Sequence, residues 1–124
     1  MRLTRIILFA TDMPRMAAFY REALGLRLIE GSPEQGWVRL DAGGCEIALH
    51  AIPEPIAAGI HIETPPLPRA DSPIKVALQV DDVDAARASL AERGAIMYDV
   101  RRTDGAALCD GLDPEGNVFQ ITSR

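Results

Sequence analysis

The chain has 124 residues, 48% of them hydrophobic, enough for one domain with a packed core and too few for two ordinary domains. Thirteen basic residues face 18 acidic ones, a formal charge of −5, and no basic run could track a phosphate backbone, so nucleic acid is not an expected partner. No apolar stretch approaches the roughly 18 residues of a membrane span. Cys45 and Cys109 form neither a CxxC motif nor a disulfide framework, which predicts a reducing, cytoplasmic location.

The first stretch, MRLTRIILFATDMP, reads as a strand over about residues 3–10 rather than a signal peptide, because Asp12 and Pro14 stand where a small-residue cleavage site is needed. Asp12 is placed to cap a helix whose apolar stripe is Met13, Met16, Ala17, Tyr20 and Leu24, and Gly25 supplies a left-handed stop. Short strands are expected near 26–31, 37–41 and 45–51, the last two joined by the turn DAGG. Residues 53–73, PEPIAAGIHIETPPLPRADSP, are proline-rich and read as a linker with a short extended piece at Ile60 to Ile62.

In SPIKVALQVDD, residues 72–82, Ile74, Val76, Leu78 and Val80 alternate with Lys75, Ala77 and Gln79, as in a half-buried strand over 74–80. The pair Asp81/Asp82 caps a second helix with the stripe Val83, Ala86 and Leu90, which Gly94 ends. Strands follow near 96–101, 106–111 and 117–122. The turn DPEGN joins the last two: Pro114 sets φ for a type I turn and Gly116 accepts a positive φ.

The chain therefore repeats itself. LFATDMPRMAAFYREALG (8–25) lies over LQVDDVDAARASLAERGA (78–95), with Leu8 on Leu78 and Asp12 on Asp82 at an offset of 70. DAGGCEIALH (41–50) lies over DPEGNVFQIT (113–122) at an offset of 72, with Gly44 on Gly116 and Ile47 on Phe119. The predicted fold class is α+β: two βαβββ modules, about 1–52 and 74–124, in one domain.

That order, with FYREALGLRL in the first half and VDDVDAARASLAERGA … DPEGNVFQI in the second, resembles the vicinal oxygen chelate superfamily of glyoxalase I, bleomycin-resistance proteins and extradiol dioxygenases. The resemblance covers nearly the whole chain. It implies a curved mixed sheet around a cavity, helices outside, and a homodimer. In the metal-dependent relatives, ligands come from one position on the first and last strand of each module. Over this sequence those positions are Arg5, Ala48, Lys75 and Gln120. Arginine and lysine, as cations, offer a metal no lone pair, and two of them would repel a divalent ion. The expectation is no metal and no cofactor.

Strand parity puts Lys75 on the cavity side with Ala77 and Gln79, next to Arg5, Ile7 and Phe9, Glu46, Ala48 and His50, and Val118, Gln120 and Thr122. Trp37 and Arg39 join from the third strand, with Val38 and Leu40 facing the helix. Apolar walls with a few polar groups suit a small organic molecule. Three readings of the cations stay open: a solvated strand face, an internal ion pair with Glu46, or capture of a ligand's carboxylate or phosphate, with a desolvated Lys75 also able to act as a base. His50 is a surface or functional histidine, Trp37 a packing residue or a pocket wall, and His61 reaches a pocket mouth only if the linker folds over it. Cys45 and Cys109 read as inert.

Two functions compete. One is a metal-independent binder of a small molecule with an anionic or polar group; a cationic guest such as bleomycin is disfavoured by Arg5 and Lys75. The other is a metal-dependent lyase, isomerase or dioxygenase with a displaced site built on Glu46 and His50, and His61 if it reaches. A plain interaction module with a collapsed cavity is the third reading.

Overall fold

The computed structural model describes residues 1–124, which form two compact units, Met1–His61 and Ile62–Arg124. In the first unit, β1 (Arg5–Ala10) leads into α1 (Met13–Ala18), and then come β2 (Arg27–Ser32), β3 (Trp37–Asp41) and β4 (Glu46–Ala51). The sheet order is β1-β4-β3-β2, parallel between β1 and β4 and antiparallel elsewhere. In the second unit, β5 (Val76–Gln79) precedes α3 (Val83–Glu92), followed by β6 (Ile96–Met97), β7 (Arg101–Thr103), β8 (Ala106–Leu112) and β9 (Val118–Thr122). Here the order is β5-β9-β8-β6, with β7 also on β8; β5 and β9 are parallel. Each module thus builds its own mixed, open sheet. A short helix, α2 (Glu54–Ala57), lies between β4 and β5 in chain order.

The repeat is visible in the details. Asp12 accepts a hydrogen bond from the Arg15 amide at 3.0 Å, and Asp82 accepts one from the Ala85 amide at 3.0 Å, so both aspartates cap as the sequence predicts. The helix stops Gly25 and Gly94 have φ of 72° and 88°. Ile47 and Phe119, matched by the repeat, are both buried, as are Val38 and Leu40. Met13, Met16, Ala17 and Tyr20 of the first apolar stripe are buried, as are Val83 and Leu90 of the second.

Four expectations need correction. The first helix does not run as one α-helix: Phe19–Ala23 form a π-helical turn, so the chain widens before Gly25. The strand expected over 96–101 is broken into β6 and β7. The Tyr98 amide still donates to Asp110 O at 2.9 Å, but regular pairing with β8 lapses between them. The linker is not wholly irregular, because Glu54–Ala57 close a helical turn after Pro53. Residues 60–62 form no strand.

The turn between β8 and β9 shows why its residue types are needed. Asp113, buried, accepts from the Glu115 and Asn117 amides at 2.9 and 3.0 Å and from Asn117 Nδ2 at 2.8 Å. Gly116 has φ of 83°, and a Cβ there would stand 2.1 Å from the Leu67 carbonyl oxygen. The same turn holds the proline-rich segment through Arg69, whose amide donates to Gly116 O at 2.9 Å and whose Nε donates to Glu115 O at 3.0 Å.

Candidate functional site

One face of the first sheet packs against α1; the other carries the predicted site residues in cross-strand rows. Phe9, His50, Trp37 and Ser32 form one row, Ile7, Ala48, Arg39 and Glu30 the next, and Arg5, Glu46, Asp41 and Arg27 the third. The face is aromatic at one end and ionic at the other. His50 stacks at 5.6 Å on Phe9 and meets Trp37 edge-on at 5.5 Å, and the Arg5 guanidinium lies 6.0 Å from the Trp37 ring centre. Phe9 and Ile7 are 58% and 43% exposed, although both are large and apolar. Ala48 is fully buried beneath its neighbours and presents no donor.

At the ionic end Glu46 is the centre. Its Oε2 accepts from Arg5 Nε at 3.0 Å and Arg39 Nε at 2.9 Å, and its Oε1 accepts from Arg39 Nη2 at 2.6 Å. Arg39 also pairs with Glu30 at 2.9 Å. The hydrogen bonds from Arg39 hold the Glu46 carboxyl far below its ordinary range, at about 2; burial opposes this, and Arg5 adds to it. Arg5 is thus ion-paired with Glu46.

The second sheet repeats the device with different parts. Lys75, just before β5, places Nζ 3.2 and 3.1 Å from the two oxygens of Asp110 on β8. Arg101 Nη2 reaches Asp110 Oδ2 at 3.0 Å, and Gln120 Nε2 reaches Oδ1 at 2.9 Å. Burial pushes the Asp110 carboxyl up, but the hydrogen bonds from Gln120 and Lys75 and the charges of Lys75 and Arg101 outweigh it, and the pKa falls. Ala77 and Gln79 are exposed beside this cluster, Val118 is half-buried, and Thr122 is buried with its hydroxyl donating to Ala107 O at 3.3 Å.

Arg5 and Lys75 therefore occupy equivalent places, and each is held by a carboxylate of its own unit. Sequence reading missed Asp110 and Arg101. The available signal was a lone Asp in the apolar run ALCDGL, which in a strand interior demands a cation.

The donor set does not fit the metal that the fold family implies. Two of the four expected positions are cations, one is a buried alanine, and Gln120 is engaged with Asp110. No group of three or more His, Cys, Asp or Glu is placed to hold a metal ion. A site displaced onto Glu46 and His50 would have to pull Glu46 from two guanidiniums and His50 from its ring contacts. His61 is exposed in the loop after α2. No helix is long and apolar enough to cross a membrane.

Residues 5–122 match the family model described as a glyoxalase-like domain. The chain belongs to this glyoxalase-like family, within the vicinal oxygen chelate superfamily. A comparison with curated proteins found no match. Solved structures similar to this glyoxalase-like protein include lactoylglutathione lyase from Agrobacterium tumefaciens, with 22% identity, TM-score 0.71, and 98% of this chain and 92% of that one covered. TnmS3, an antibiotic binding protein from Streptomyces sp. CB03234, has 23% identity, TM-score 0.68, and coverage of 98% and 93%. TioX from Micromonospora sp. ML1 has 21% identity, TM-score 0.73, and coverage of 98% and 97%. At these identities the likeness establishes the fold and nothing about the reaction.

Proposed function

We propose that this glyoxalase-like protein is a metal-independent binder of a small organic molecule carrying an anionic or polar group. The observation that carries the reading is Glu46: its carboxylate, the best metal donor on the first open face, is filled by Arg39 and Arg5. The row Phe9, His50 and Trp37 supplies flat surface for the apolar part of a ligand, with Ile7 beside it. That TnmS3 is an antibiotic binding protein makes small-molecule capture a use to which this fold is put. We place the protein in the cytoplasm as a homodimer.

The test is metal uptake followed by ligand screening. After incubation with excess Zn²⁺, Mn²⁺ or Fe²⁺ and desalting, the expected metal content is far below one equivalent. A small-molecule library is expected to yield compounds that raise the melting temperature. Near-stoichiometric metal that disappears in Glu46→Ala or His50→Ala would replace this reading with the displaced-site lyase or dioxygenase.

A further inference from the structure

The two ionic clusters differ in charge balance, and the difference locates the anion. In the first unit Arg5 and Arg39 face Glu46 and Glu30, and Arg27 faces Asp41, so each cation is matched. In the second, Lys75 and Arg101 share Asp110, leaving one positive charge in excess on a chain whose total is −5.

Building on the small-molecule reading, we propose that Lys75 and Arg101 are the subsite for the ligand's carboxylate or phosphate, and that Asp110 is a built-in occupant which that group displaces. The contacts suit exchange. Lys75 holds Asp110 at 3.1 and 3.2 Å, beyond the roughly 2.7–2.9 Å of a tight charge-assisted hydrogen bond, and Arg101 commits one terminal nitrogen to it. Both cations are accessible, with side chains 42% and 60% exposed, whereas Asp110 is 18% exposed. When an incoming anion takes the ammonium and guanidinium, Gln120 Nε2 still donates to Asp110 Oδ1, so the displaced carboxylate keeps a partner. Ala77, opposite Gln120 in the register and exposed, leaves room beside Lys75 that a longer side chain would fill. No bond is made or broken; this is a binding subsite.

The experiment is an NMR amide-shift titration with inorganic phosphate and, separately, acetate at low ionic strength, on the full chain. Saturable shifts are expected around Lys75, Arg101, Asp110 and Gln120. Affinity is expected to fall roughly tenfold in Lys75→Gln and in Arg101→Gln, as loss of one charge-assisted hydrogen bond implies, and to rise in Asp110→Asn. That rise is expected to exceed the one in Asp99→Asn, which removes a negative charge from an exposed side chain outside the cluster; an equal rise would be general electrostatics and would overturn the displacement. Shifts centred on Arg5 and Arg39, no saturable shift, or weaker binding in Asp110→Asn would each overturn the subsite. If neutral aromatic compounds bind all three variants as they bind the parent while neither anion binds, the subsite fails and the small-molecule reading stands. If the anions bind as expected and no compound of the small-molecule library does, the reading fails and the subsite stands.

Discussion

Arg39 grips Glu46 across the β3–β4 pair as a fork, with Nε to Oε2 at 2.9 Å and Nη2 to Oε1 at 2.6 Å, and Arg5 reaches the same carboxylate from β1. Three strands are tied by one side chain. A carboxylate so held is a poor ligand for a cation.

The acid response of stability follows from that grip. Glu46 titrates near 2 when folded against an ordinary 4.5. A depressed folded pKa contributes stability above the unfolded value and loses it as pH falls through the folded one. Urea midpoints measured across this range should therefore fall between about pH 4.5 and 2. Glu46→Gln should lower the midpoint at neutral pH and make the acid slope shallower.

The exposed aromatic row separates binding from folding. Phe9 is 58% exposed, so Phe9→Ala should change stability by no more than about 0.5 kcal/mol. The same change should weaken a ligand that lies on the row, and Trp37, the single tryptophan, reports it. The measurement is quenching of Trp37 fluorescence by a hit from the thermal screen. An unchanged binding curve in Phe9→Ala would remove this row from the site.

Two glycines carry packing roles that a methyl group exposes. At Gly111 on β8 an added Cβ would meet Met97 Sδ at 2.6 Å and Phe119 Cζ at 2.7 Å. Gly111→Ala should cost about 1–3 kcal/mol in urea unfolding, the range for overpacking. Gly116→Ala should act differently, by pushing the Leu67 carbonyl away and exposing residues 67–69 to proteolysis.

The two thiols should differ in reactivity. Cys109 is buried, donates to Tyr98 O at 3.2 Å, and burial pushes its pKa up, whereas Cys45 is partly exposed beside the Gly43–Gly44 turn. Ellman's reagent should titrate one thiol in the folded protein and two in urea. Rapid reaction of Cys109 in the native state would mean that the packing beneath β8 opens readily.

Local chemistry wrote much of the fold into the sequence. Alternation marked the strands, Asp12 and Asp82 marked helix starts, and Gly25 and Gly94 marked helix ends, because caps and left-handed stops depend on one residue and its immediate neighbours. Parity even set which face Arg5, Trp37, Arg39, Glu46 and His50 share, since a two-residue period leaves no other choice. The π-helical turn at Phe19–Ala23 and the break between β6 and β7 were not legible; both depend on packing and pairing that no local pattern encodes.

The sequence by itself determined the doubled βαβββ order and which residues, Arg5, Ala48, Lys75 and Gln120, stand at the positions that the family resemblance singles out. Tertiary structure alone decided the partners. Arg5 and Glu46 are 41 residues apart and Lys75 and Asp110 are 35 apart, so their pairing depends on which strands become neighbours. Charge strength falls with distance in space and takes no account of distance along the chain. For that reason Asp110 and Arg101 came into view only after β7, β8 and β9 were aligned.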